Sequence, residues 1–111
     1  MAKTISVNYN GKDYVLEYTR ESVETMEKRG FVLSEVGSRP MSTLPELFSG
    51  AFLAHHKFLP ESVINDLFKK IVDKEQLYIK LIEMYNETIE TLLTTETDPD
   101  GKNATWGANW D

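Results

Sequence analysis

The sequence predicts an α+β domain: an N-terminal antiparallel β-hairpin packed on about four helices, with a flexible polar C-terminal tail. Three observations predict it. Asn10-Gly11 lies between two alternating apolar runs, the strongest short-range hairpin signal. From Leu44 to Leu93, apolar residues recur at three- and four-residue spacing, the period of amphipathic helices. Strand patterning does not return after the first helix, so there is no βαβ alternation to build a parallel sheet. The domain is expected over residues 1–93 and the tail over 94–111.

The hairpin is read over residues 3–18. Both central positions of a type I′ turn need positive φ, which Asn and Gly tolerate. A two-residue loop pairs Tyr9 with Lys12, Val7 with Tyr14 and Ile5 with Leu16. Ile5, Val7, Tyr9, Tyr14, Leu16 and Tyr18 then share one face, while Ser6, Asn8, Asp13 and Glu17 face outward. An isolated hairpin is marginal in water, so this face must be covered by helices.

A first helix is predicted over 20–29, capped by Thr19 with Glu21 in its first turn, and stopped by Gly30. Val23 and Met26 face inward and Phe31 closes the end. Residues 32–42 read as a connector broken by Gly37 and Pro40. A second helix is predicted over 44–58, with Thr43-x-x-Glu46 as a capping box and Pro45 in its first turn. Its stripe is Leu44, Leu47, Phe48, Ala51, Phe52, His55, Phe58 and Leu59. Gly50, costly by about 1 kcal/mol inside a helix, points to a close contact with a neighbouring element.

The third helix is predicted from Pro60 to Val72, burying Val63, Ile64, Leu67, Phe68, Ile71 and Val72. Asp73, with Gln76 as its reciprocal partner, is expected to cap a fourth helix that runs to Leu93. The stripe of that helix is Leu77, Tyr78, Leu81, Ile82, Tyr85, Ile89, Leu92 and Leu93.

From Thr94 onward the chain is rich in Thr, Asp, Asn and Gly, with no aliphatic residue larger than Ala. Such a segment cannot bury enough apolar surface to offset its ordering entropy. Yet both tryptophans of the chain, Trp106 and Trp110, lie in its last six residues. Three readings stay open: the tail folds back on its own domain, it docks on another protein, or it is dispensable.

The 111 residues are 41% hydrophobic, which suits one small domain with an ordinary core. The absence of Cys excludes disulfides, thiolate metal sites and a Cys nucleophile, and fits a reducing compartment. MAKTISVNYN lacks the apolar stretch of a signal peptide. No apolar run approaches the roughly 20 residues that span a bilayer, so no membrane association is expected and the chain is placed in the cytoplasm. With 18 acidic residues against 12 basic ones the net charge is −6, which argues against a nucleic-acid partner.

No residue pattern carries catalysis. His55 and His56 are adjacent, about 100° apart on a helix, and cannot chelate one metal as an i, i+4 pair does. His55 falls on the apolar stripe and reads as a satisfied core or boundary residue; His56 falls off it. The pairs Glu21/Glu24 and Glu83/Glu87 read as solvated helix surface, because acid–base work needs a buried or coupled carboxyl. Asp98-Pro99-Asp100-Gly101 resembles half of a calcium loop but lacks the later acidic ligands, and reads as a turn. No catalytic, cofactor or metal residue is therefore assigned. The candidate partner-binding residues are aromatic: Phe48, Phe52 and Phe58 on the second helix, and Trp106 and Trp110 in the tail.

Several segments together carry a resemblance. They are Tyr18-Thr19-Arg20-Glu21-Ser22-Val23-Glu24-Thr25-Met26-Glu27, Gly30-Phe31, Leu44-Pro45-Glu46-Leu47-Phe48-Ser49-Gly50-Ala51-Phe52, His55-His56-Lys57 and Leu81-Ile82-Glu83-Met84-Tyr85-Asn86-Glu87-Thr88-Ile89. In this order, after a hairpin and before a polar tail, residues 1–93 resemble the short tail assembly chaperones of long-tailed phages and prophages of Gram-positive bacteria. The motifs are patterns of packing rather than of chemistry. The resemblance implies a non-enzymatic factor of the bacterial host cytoplasm that coats the helical tape measure protein until the tail tube assembles around it. It also implies contact with the tail tube protein, and in many members a longer frameshifted form. Self-association is left open. Two other classes remain beside it: a small adaptor or regulatory domain that binds a peptide or a host protein, and a small hydrolase or ligand-binding enzyme.

Overall fold

A computed structural model describes residues 3–94 and 99–110. It has the α+β architecture expected, a two-stranded antiparallel hairpin followed by four α-helices. Strands β1 (Ile5–Tyr9) and β2 (Lys12–Leu16) pair in the predicted register, Ile5 with Leu16, Val7 with Tyr14 and Tyr9 with Lys12. Asn10 and Gly11 take φ values of 52° and 76°, as a type I′ turn requires. Val7, Tyr14, Leu16 and Tyr18 are buried, Ile5 and Tyr9 pack at the margin, and Ser6, Asn8 and Asp13 face solvent.

Helix α1 (Arg20–Lys28) begins at a reciprocal cap. The Thr19 side chain accepts from the Ser22 N–H at 3.1 Å, and the Ser22 hydroxyl accepts from the Thr19 N–H at 2.8 Å. The helix ends before Gly30 at φ 92°, a left-handed position where glycine carries no Cβ penalty. Val23, Met26 and Phe31 are buried, as predicted.

Helix α2 (Pro40–Gly50) departs from expectation at both ends. It starts four residues early: Pro40 is not a breaker but the first helical residue, where its missing N–H costs nothing. A 3₁₀ turn at Leu33–Val36 precedes it within the predicted connector. Thr43 is therefore no cap. It lies inside the helix and is buried, and Pro45 sits in the second turn rather than the first. The helix stops at Gly50 rather than residue 58. The Ala51 carbonyl accepts the Glu17 N–H, just beyond β2, at 3.0 Å, and so is taken out of the helical ladder. Residues 51–59 continue as turns. The close contact expected of Gly50 is present, because a Cβ there would overlap the Met26 side chain of α1.

Helix α3 (Glu61–Lys70) starts after Pro60 and buries Ile64 and Leu67. Val72, predicted buried, lies beyond its end and is exposed. Helix α4 (Lys74–Glu90) begins after Asp73, as predicted, but without the predicted chemistry. Asp73 is left-handed, with φ 54° and ψ 49°, and its side chain makes no capping hydrogen bond. Instead the Lys74 ammonium donates to the carbonyls of Lys69 and Ile71, satisfying the end of α3. The helix buries Leu81, Met84 and Tyr85. Ile89, Leu92 and Leu93, predicted to continue the buried stripe, are exposed where the helix gives way to a 3₁₀ turn at Thr91–Leu93.

The core lies where the hairpin face meets α2 and α4. Leu16, Leu47, Phe48, Phe52, Leu67 and Leu81 are its largest fully buried side chains. Edge-on aromatic pairs tie the layers: Tyr14 with Phe52 at 6.0 Å, Phe48 with Phe52 at 5.2 Å, and Tyr85 with both Tyr18 and Phe31 at 5.3 and 5.4 Å. The Tyr18 hydroxyl, buried in this core, donates to the Leu47 carbonyl. Burial raises its pKa well above the usual tyrosine value, so it remains a donor.

Candidate partner-binding surface

The early end of α2 decides what reaches the surface. Phe48, inside α2, and Phe52, two residues past its end, are both fully buried in the core. As candidate contacts for a partner they are corrected to structural residues. Phe58 follows the helix end, and the turn carries it outward to 90% exposure. The same rotation exchanges the two histidines. His55, expected on the inner stripe, is exposed and pairs through Nε2 with Glu17 Oε1 at 2.6 Å. His56, expected outside, is the half-buried one, and its Nε2 accepts the Val15 N–H at 2.9 Å. Burial, and then the neighbouring His55, lowers the His56 pKa. Accepting through Nε2 places the proton of the neutral ring on Nδ1.

Several carboxylates of the helix surfaces are partnered. Glu83 and Glu87 share the Lys3 ammonium at 3.3 and 2.8 Å, and hydrogen bonds to them raise the Lys3 pKa. Glu24 pairs with Lys28 at 2.9 Å. Asp66 accepts the Tyr9 hydroxyl at 2.6 Å, which lowers its pKa. Among the described residues no group of three or more His, Asp or Glu side chains is placed to hold a metal ion. Asp98, half of the calcium-like turn, lies outside the described residues.

A groove of about 660 Å³ lies between α1 and the 51–59 turn. Thr19, Arg20, Glu21, Ser22, Thr25 and Arg29 form one wall, and Leu53, Ala54, Lys57 and Phe58 the other. Leu53, Ala54 and Phe58 are its apolar lining, and among its charged lining residues Arg20, Arg29 and Lys57 outnumber Glu21. None of the three cations pairs with a described carboxylate. Arg20 donates to the Thr91 carbonyl at the end of α4, so it also marks where the tail leaves the domain. Lys57 stands 6.0 Å from the Phe58 ring centre. Trp106 and Trp110 are 90% and 93% exposed.

Of the five aromatic candidates, then, Phe58, Trp106 and Trp110 are on the surface. The sequence did not single out Arg20, Arg29, Lys57 or Leu53, because their grouping depends on where α2 ends. The family described as a domain of unknown function, DUF5055, matches residues 1–110. The chain belongs to the DUF5055 family. The DUF5055 match runs through the tail and includes both tryptophans, so the tail is part of the family's unit. No curated protein and no solved structure matches this DUF5055 chain. Among its described residues no helix is long and apolar enough to cross a membrane.

Proposed function

We propose that this chain is a tail assembly chaperone of a phage or prophage, which binds the tape measure protein and keeps it soluble in the bacterial host cytoplasm during tail tube assembly. The proposal rests on the resemblance carried by residues 1–93. The structural observation that supports it is the groove lined in part by Leu53, Ala54 and the exposed Phe58: apolar surface in a concavity of a small acidic domain suits the apolar stripe of a helix. A long helical client presents that stripe many times, so copies bound along it act together even when each contact is weak. The net negative charge of the chaperone keeps the coated client dispersed. The exposed tryptophans are then free to meet the tail tube protein. No side chain in this reading performs chemistry.

Co-expression with the protein encoded by the long, coiled-coil-like neighbouring reading frame tests the proposal. A chaperone keeps that product soluble and co-purifies with it in many copies per client. A client equally insoluble with and without this chain overturns the proposal. Because the groove is one short cavity rather than an extended face, a second reading is an adaptor that binds a single peptide or host protein. That reading predicts a one-to-one complex.

A further inference from the structure

We propose that the open edge of β1 pairs antiparallel with β1 of a second copy of this chain, giving a four-stranded sheet across a two-fold axis at Val7. The inference goes beyond the chaperone reading and does not rest on it, because it concerns this chain alone.

The hairpin register fixes which backbone groups face outward. Tyr9 pairs with Lys12 across a two-residue turn, so Ile5, Val7 and Tyr9 bond to Leu16, Tyr14 and Lys12 within the ladder. The N–H and C=O groups of Ser6 and Asn8 on β1, and of Asp13, Val15 and Glu17 along β2, then point away from the opposite strand. The two edges differ. On the β2 side the Val15 N–H donates to His56 and the Glu17 N–H to the Ala51 carbonyl, so the 51–59 turn lies along that edge. On β1 the outward groups of Ser6 and Asn8 have no partner among the described residues.

Folded proteins usually guard such an edge with a charged side chain, a proline or a bulge. Residues 4–9, TISVNY, hold no charge and no proline, and the register runs without a bulge. The nearest charge, Lys3, is drawn to Glu83 and Glu87 of α4. Although the chain carries a net charge of −6, β1 holds no acid, so two copies meet there without like charges facing each other.

A two-fold axis at Val7, the midpoint of β1, sets Ser6 against Asn8 of the second copy in hydrogen-bonded pairs. Ile5 then lies beside Tyr9 of the second copy on the inner face, where both are half-buried in the single chain, and the outer face stays polar. A second copy fits this edge better than a foreign extended peptide, because it ends the sheet. Each outer edge is then a β2 already lined by its own 51–59 turn, and the assembly closes as a dimer. A single added peptide would leave its own far edge open. One strand per copy buries less than the roughly 1,200 Å² at which stable interfaces begin, so the dimer dissociates on dilution.

Sedimentation equilibrium of the full chain from micromolar to millimolar concentration is the test. The weight-average mass should rise from 12.7 kDa toward twice that value and stop there. Amide exchange at Ser6 and Asn8 should slow several-fold over the same range, while exchange at Val7, inside the ladder, stays constant. Ser6→Pro removes an outward N–H without touching the ladder. Ser6→Lys/Asn8→Lys, at two exposed positions, sets lysines opposite each other across the axis. Each variant should remain at 12.7 kDa with its circular dichroism unchanged, and the lysine pair decides the matter where the proline variant fails to fold. A wild type that stays at 12.7 kDa at millimolar concentration overturns the proposal. A dimer that survives the lysine pair places the contact on another face and overturns it. Mass that grows past the dimer overturns it too, as does slow exchange at Ser6 and Asn8 that is independent of concentration.

Discussion

His56 accepts the backbone N–H of Val15 through Nε2 at 2.9 Å, holding the 51–59 turn to the outer edge of the hairpin. The bond requires a neutral ring, and burial lowers the His56 pKa below the ordinary 6.5. The unfolded chain therefore binds the proton first as pH falls. The contribution of His56 to stability is full above about pH 6.5 and declines between that value and its lower folded pKa. Urea unfolding followed from pH 8 to pH 5 in a His55→Gln background should show this loss, and His56→Gln should flatten it. His56→Ala leaves the Val15 N–H without its partner and should cost about 1–3 kcal/mol at pH 8.

Gly50 makes the close approach between α1 and α2. Gly50→Ala adds a methyl where the Met26 side chain already sits, and Met26 is itself buried. Overpacking of this kind costs about 1–3 kcal/mol, which outweighs a gain in helix propensity that is under about 1 kcal/mol at the last residue of α2. The expected net change is a loss of about 1 kcal/mol in chemical denaturation. In a Met26→Ala background the same change should be neutral or stabilising, a coupling that a double-mutant cycle measures directly.

Phe48 and Phe58 occupy the same predicted stripe but opposite environments, fully buried and 90% exposed. Phe48→Ala should cost about 3–5 kcal/mol of stability. Phe58→Ala should stay within about 0.5 kcal/mol of wild type while weakening whatever contact the groove makes. Equal losses at the two positions would mean that Phe58 is buried in the folded protein.

Two tyrosines differ by one hydrogen bond. The Tyr18 hydroxyl donates to the Leu47 carbonyl, whereas the Tyr78 hydroxyl is the one buried side-chain polar atom among the described residues without a partner. Burial raises the pKa of both, so both are neutral across the range in which the protein would be studied. Tyr18→Phe strands a carbonyl and should cost about 1–2 kcal/mol, while Tyr78→Phe removes an unsatisfied group and should be neutral or stabilising. Thermal melts of the two variants should therefore move in different directions or by clearly different amounts.

Much of this fold was legible because local rules sufficed. The hairpin register follows from a side-chain period of two and a turn that demands positive φ at Asn10 and Gly11. Thr19 and Gly30 bound α1 by capping chemistry that acts within a few residues. Gly50, read as interior to a longer helix, announced the close contact it does make, although it stands at the last residue of α2. The existence of four helices followed from periodicity, and their ends were the errors. Thr43-x-x-Glu46 has the spacing of a cap but lies inside α2, and Ile89, Leu92 and Leu93 continue a stripe with nothing packed over it.

By itself, then, the sequence determined the α+β class, the hairpin and its register, the first helix and most of the core, because each depends on neighbours close in the chain. The tertiary structure alone decided where α2 stops. An apolar stripe states which residues want burial, not at which residue the chain leaves the helix. At that point the ladder tightens to i→i+3 bonds from Ala51, Phe52 and Leu53, and the Ala51 carbonyl accepts the Glu17 N–H thirty-four positions earlier. With the chain out of the helix there, His55 is exposed and His56 half-buried, Phe58 is exposed, and Arg20, Arg29 and Lys57 come to line one groove that no local pattern could reveal.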